Sequence, residues 1–446
     1  MRSLALLALA GSYLSAASKP PTFYKDVLPI LQSRCQSCHR PGEAAPMSFL
    51  TYKDARPWAA SIREAVVSRK MPPWGADPAH GKFLNDRRLL SSEIDTIVNW
   101  TKSGALAGDP ADAPETPAWA EGWTIGKPDL ILDVGYDFTV PAKGDIPYTN
   151  FIVRTGFTED KWIEKIEVRP SNRSVVHHVV VRSRPPNANF LEEARPGIPY
   201  APPVKPPNAQ TIQTDSGESA LGEKGVEIVG IYVPGGIAYE TRKGQARLIR
   251  AGSDLIFSMH YTTNGKEAVD RTRVGIVFAT TPPKERVVHS EIANRSLRIP
   301  PGAANHRVAA RLVVQEPVRI QSLFPHMHLR GKAMQIRAIY PTGEDQILLS
   351  VPNYEFNWQL TYALAEPVTL PKGTEVEVTG WFDNSRNNKW NPDPTSEVFW
   401  GQQTWEEMMI GFVDLAIPIS LPPDRILGPI SKRAAVAPSS GLHHQD

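Results

Sequence analysis

The sequence predicts a multidomain protein in which a small all-α unit precedes a long all-β region. Three observations carry this expectation. Helical periodicity is confined to residues 19–107; beyond them the chain breaks into short runs rich in Val, Ile, Phe and Tyr. A length of 446 residues is too great for one ordinary domain. The 42 prolines, 31 glycines and 11 tryptophans suit many short strands joined by loops. Apolar residues make up 41%, enough for packed cores. The balance of 49 Lys+Arg against 47 Asp+Glu leaves +2, which gives no reason to expect nucleic acid or an anionic membrane as partner. There are 2 cysteines, three positions apart, so no disulfide framework is available.

In chain order, residues 1–17 read as a cleaved signal peptide. Arg2 supplies the basic start, 4–10 a short apolar core, and Ser15-Ala16-Ala17 a small-residue cleavage site. No later run approaches the length of a membrane span. The mature protein is therefore expected to be periplasmic or secreted. Helices are expected at 24–35, 52–68 and 91–103, the last from Ile94, Ile97, Val98 and Trp100 at helical spacing behind a Ser91-Ser92-Glu93 start. Residues 108–127, rich in Pro, Asp and Ala, read as a linker. Strands are expected at 130–134, 148–155, 162–168, 175–182, 226–233, 246–249, 255–261, 297–300, 307–314, 319–324, 334–340, 375–382 and 410–417. Residues 184–224 read as a surface insertion, and 431–446 as a disordered tail.

Cys35-Gln36-Ser37-Cys38-His39 is a haem c attachment sequence. Two thiols at this spacing reach both vinyl groups of one haem edge, and His39 is placed as an axial ligand. A redox dithiol is the rival reading, disfavoured by the adjacent histidine and the export signal. Met71, opening Met71-Pro72-Pro73-Trp74, is the expected second axial ligand; His80 competes with it, and Met47 lies too close to His39. Region 19–107 thus resembles small c-type cytochrome domains, which implies one covalent haem c and an external electron donor.

The remaining candidates are histidines and methionines. His177-His178 interrupts the valine run 175–181. In a regular strand the two side chains face opposite ways, so a shared role requires a bulge or strand end there. His326 and His328 share one strand face, the natural way for a strand to offer two metal ligands. His260 and Met408 are single; from chemistry alone Met409 has an equal claim. His289 and His306 read as structural.

The order His-His, His, His-x-His, Met resembles the copper type II, ascorbate-dependent monooxygenases, which include peptidylglycine α-hydroxylating and dopamine β-monooxygenases. The resemblance covers about 128–430 by motif order and spacing. It implies two consecutive all-β sandwich, jelly-roll-like domains, 128–285 and 286–430, each with one copper. It assigns His177, His178 and His260 to the first copper and His326, His328 and Met408 to the second. Glu407-Met408 matches the family's acidic-Met step and favours Met408 over Met409. The implied activity is hydroxylation of a C–H bond of a small organic substrate with O₂, ascorbate being one candidate reductant. A non-enzymatic electron-transfer or copper-handling protein is the alternative. Phe324 and Phe412 stand where peptidylglycine enzymes carry carboxylate-binding arginine and tyrosine, so a peptide-glycine substrate is not expected.

Overall fold

A computed structural model describes residues 19–119, 122–203 and 225–430. The expected signal peptide and tail, and most of 184–224, lie outside the described residues. Contacts group the chain into two compact units. The first comprises the chain up to Pro41, Met47–Pro72 and Leu89–Pro117; the second comprises Gly42–Pro46, Pro73–Arg88 and the chain from Ala118 on.

The first unit is helical. A turn of π-helix, Phe23–Val27, runs into the helix Leu28–Arg34. Tyr52–Ala55, Arg56–Trp58 and Ala59–Val67 follow as one near-continuous path, and Ser91–Lys102 closes the unit. Ile97 and Trp100, one turn apart, are fully buried with Phe23, Val27, Leu31, Ile62 and Val66. The expected serine cap of the last helix is replaced by Leu90, whose N–H donates to the Glu93 carboxylate at 2.6 Å. Phe23 and Tyr24 N–H donate to the carbonyls of Leu106 and Ala107, tying the first helical turn to the end of the expected unit.

The second unit is mostly β-sheet. Its nine-stranded sheet runs in the order Leu130–Asp133, Arg273–Phe278, Lys161–Arg169, Gln245–Ile249, Glu285–Ala293, Ile410–Pro418, Val318–His326 and Tyr362–Leu370, with Tyr239–Glu240 beside Lys161–Arg169. A four-stranded sheet of Thr149–Arg154, Asp254–Tyr261, Val176–Arg184 and Glu227–Tyr232 shares one core with it, through Ile166, Val179, Phe257 and Val274. A five-stranded sheet of Asp345–Val351, Gly331–Ile339, Glu375–Phe382, His306–Val314 and Leu427–Gly428 shares the second, through Ile336, Val378, Leu415 and Ile417. Facing sheets with alternating apolar positions are the layered packing of β-sandwiches.

Two features differ from expectation. The sequence divides 128–430 at 285/286, whereas one sheet continues across that point. Glu285 and Arg286 pair in parallel with Gln245 and Ala246, and Gln245 donates to the Glu285 carboxylate at 2.8 Å. Residues 73–88, placed by sequence with the haem motif, belong to the second unit. There Phe83 bridges Leu364, Leu84 N–H donates to Ala363 O at 2.8 Å, and Trp74, Phe83 and Tyr362 pack edge to face. Their apolar side chains gain burial against an otherwise open strand of the nine-stranded sheet. Of the insertion, Phe190, Leu191, Ala194 and Tyr200 pack with Ile152 and Ile256. Among the described residues no helix is long and apolar enough to cross a membrane.

Candidate functional site

In the first unit, Cys35 ends the helix Leu28–Arg34, and both Cys38 and His39 N–H donate to its carbonyl. The three residues of the attachment sequence are thus held in one turn. Burial, with Cys38 close by, pushes the Cys35 thiol up to about 12; both cysteines are free. His39 Nδ1 donates to Met47 O at 3.2 Å, and its ring stacks on Phe49 at 4.2 Å. Nε2 is therefore the nitrogen left for an axial bond, the usual arrangement of a ligating histidine. This donor set fits haem c. Met47 packs against the core of the first unit. Met71 follows the helix Ala59–Val67, half-buried, its N–H donating to Ala65 O. His80 falls in the second unit.

In the second unit the strand Val176–Arg184 carries His177-His178 opposite Asp254–Tyr261. Val176 pairs with Tyr261 and His178 with His260, so one residue, His177, is bulged out of register. That bulge is the irregularity two adjacent ligands require: the extra residue turns both imidazoles to one side. One nitrogen from each of His177, His178 and His260 lies within 4.8 Å of the others, and all three residues are buried.

Hydrogen bonds identify the inward nitrogens. His178 Nε2 meets Tyr148 Oη at 2.7 Å, and His260 Nε2 meets Thr404 Oγ1 at 3.5 Å. His177 and His178 present Nδ1 to one another at 3.0 Å, and His260 Nδ1, like His177 Nε2, is buried without a hydrogen-bond partner. Two nitrogens about 2 Å from a common metal at roughly a right angle lie about 3 Å apart. The orphaned His260 nitrogen and this spacing fit a metal held by one nitrogen from each of the three rings. Burial, reinforced by neighbouring imidazoles, holds His177 down to about 4 and His260 to about 3. All three rings are neutral at pH 7, the form that ligates.

His326 ends the strand Val318–His326, and His328 follows with its ring 5.3 Å away. His326 Nδ1 donates to Gln359 Oε1 at 2.7 Å, and the Gln359 amide is fixed by its own bond to Phe356 O. His328 Nδ1 donates to Glu406 O at 3.1 Å. In both rings Nδ1 is an engaged nitrogen. Met408 lines the same cavity, whereas Met409 is fully buried in the core against Gly380. Packing thus separates two methionines that chemistry alone left equal. Glu407, completely buried, accepts the N–H groups of His328 (2.8 Å) and Arg330 (2.6 Å) and so pins the turn that carries His328. Burial pushes its carboxyl up to about 7 against those bonds.

The two histidine groups meet. His178 and His326 ring centres are 6.5 Å apart, and both face one cavity of about 280 Å³ walled by Phe324, Ile410, Phe412 and Val180. Phe356 stacks on His177 at 4.7 Å and lies 6.4 Å from His328. Tyr148, Phe356, Gln359 and Thr404 were not singled out by sequence. Each is far along the chain from the histidine it supports, and no spacing marks it. Glu407 alone was flagged, through its neighbour Met408.

No protein-family profile matches the chain, and no curated protein does. Among solved structures, the infectious bursal disease virus VP2 subviral particle aligns with 66% of this chain and 72% of its own, at 8% identity and a TM-score of 0.19, a likeness that carries no argument.

Proposed function

We propose that this chain is an exported, haem- and copper-containing monooxygenase that hydroxylates a C–H bond of a small organic substrate with O₂. On this reading the first unit is a small c-type cytochrome domain and the second is a pair of jelly-roll sandwiches. One observation carries the proposal: the three-imidazole group, through His178, and the group of His326, His328 and Met408 line one cavity walled in part by Phe324, Ile410 and Phe412. A copper-storage protein has no use for such a cavity.

When bound, copper supplies one-electron chemistry with O₂, and haem c supplies electrons singly. The rest is done by the chain. His177, His178 and His260 offer a nitrogen-only site that tolerates both copper oxidation states; His326, His328 and the soft Met408 thioether favour the reduced state. Tyr148, Thr404, Gln359 and the Glu406 carbonyl hold four of the five rings in register, so ligand geometry is set before metal arrives. Phe324, Ile410 and Phe412 exclude water from the reacting C–H bond. Overall, substrate C–H, O₂, two electrons and two protons give C–OH and water. The close approach of His178 and His326 keeps the electron path between the groups short.

The test uses full-length protein matured for haem and loaded with copper, supplied with ascorbate and isotope-labelled O₂ over a panel of small neutral compounds. One labelled oxygen in the product, lost in Met408→Ala, is expected. O₂ consumption that yields only peroxide contradicts the reading.

A further inference from the structure

His289, read from the sequence as structural, faces the same cavity. Three neighbouring strands set up its position. Ala293, Ile410 and His326 lie side by side across them; the next row on the same face is Glu291, Phe412 and Phe324; the next is His289, Asp414 and Ser322. Phe412 therefore separates His289 from His326, with ring centres 5.0 and 6.1 Å away. His289 is 8% exposed and lines the cavity that His326, His328 and Met408 line.

Its two nitrogens differ sharply. Nδ1 donates to Asp414 Oδ1 at 2.8 Å. Asp414 also takes Arg247 Nη2 at 2.8 Å and the Ser322 hydroxyl at 2.7 Å. With Nδ1 donating to Asp414, the uncharged ring presents its lone pair at Nε2. That Nε2 is buried and has no partner among the described residues. A buried acceptor left unpaired is costly unless a ligand or water completes it.

We infer that His289 determines specificity by accepting a hydrogen bond from the substrate, whose class is small, uncharged hydroxyl compounds with an apolar body. This rests on the proposed function only in taking the cavity as the substrate site. The donor must come from the ligand, because Nε2 can only accept. The body is apolar because Phe324, Phe412, Ile410 and Val180 line the cavity alongside His289 and Met408. The ligand group is an uncharged hydroxyl because that completes His289 Nε2 without adding charge, and Arg295 is already paired with Glu291. It is small because about 280 Å³ lies just under the ~300–1,000 Å³ of ordinary ligand sites.

Calorimetry on the full-length, metal-loaded protein with p-cresol and its near-isostere p-xylene tests this without turnover. In His289→Phe the affinity of p-cresol relative to p-xylene falls about 10-fold, the worth of one hydrogen bond to a buried acceptor. A ratio unchanged within about twofold, or a wild type that does not bind p-cresol, overturns the inference. A second arm needs no variant: in protein with isotope-labelled histidine, p-cresol shifts the His289 Nε2 resonance and p-xylene does not; equal responses overturn it. Failure of the monooxygenase reading is separately visible, as p-cresol binding with the expected ratio but no labelled product.

Discussion

Replacing Asp414 by Ala is expected to lower the stability of the second unit by about 3–5 kcal/mol, the cost of leaving a buried partner charge uncompensated. Asp414 belongs to the half of the unit after 286, Arg247 to the half before it, and both side chains are nearly inaccessible at 7% and 6%. The substitution orphans the Arg247 guanidinium, the Ser322 hydroxyl and His289 Nδ1 together. Relief is available from a cavity of about 110 Å³ lined by Asp414, Arg247 and Ser322, roomy enough for water. The loss should therefore fall near the low end, about 3 kcal/mol. Asp414→Asn keeps an acceptor for one or two of these donors and loses only the charge, so it costs less than Ala. The pH dependence has a definite sign. Burial would raise the Asp414 carboxyl, but Arg247, His289 and Ser322 outweigh it and hold the group well below the usual carboxylate range. Its contribution is present above the unfolded value of about 3.9 and fades as pH falls below it. The wild type's advantage over Asn should accordingly be flat near neutrality and shrink below about pH 4. Urea unfolding followed by circular dichroism across this range reads both effects. An Ala variant within about 1 kcal/mol of wild type, or an Asn variant as unstable as Ala, would refute the reasoning.

Further expectations concern packing and the metal groups. Met409→Ala should cost about 2–5 kcal/mol, since the side chain is fully buried, whereas the half-buried Met408→Ala costs about 1 kcal/mol or less; equal unfolding midpoints for the two would contradict the distinction drawn between them. Gly411→Ala places a methyl 2.5 Å from Val378 Cγ2, where the nine- and five-stranded sheets meet, and should destabilise by about 1–3 kcal/mol; a neutral result in thermal unfolding would show that the sheets can part there. Tyr148→Phe removes the partner of His178 Nε2 and should weaken copper binding about 10-fold or more, read by competition with a chelator, with affinity unchanged as the opposing outcome. Pre-reduced haem should be oxidised on mixing with copper(II)-loaded protein and O₂ in the absence of ascorbate; haem that stays reduced in stopped flow speaks against electron transfer from the first unit.

Much of the architecture was legible because it follows from local pattern. The helices around Ile97 and Trp100 declare themselves by a 3.6-residue period, and the valine run before Arg182 by β-propensity. His326 and His328 were expected to share one strand face, but the strand ends at His326, and it is the turn held by Glu407 that brings His328 beside it. His177-His178 was readable only conditionally: adjacency demanded a bulge, but only the pairing of His178 with His260 shows that one forms. What escaped notice depends on contacts between distant positions. Asp414 and His289 are 125 residues apart, and Gln359 is 33 from His326. Nothing local distinguishes His289 from His306, which lies at the start of another strand. The strands Asp345–Val351 and Tyr362–Leu370 were likewise not anticipated: charged or proline residues dilute their β signal, and tertiary packing decides them. The single sheet crossing 285/286 was invisible for the same reason, since its link is a two-residue parallel pairing with no sequence signature.

The central claim is that the second unit holds two coppers and the first one haem. Metal quantitation with electron paramagnetic resonance on haem-matured protein tests it most directly. Two coppers per haem are expected, both type 2 in the oxidised state, with one lost in His260→Ala and the other in His328→Ala. Haem without copper, or a copper content that neither substitution changes, would contradict it.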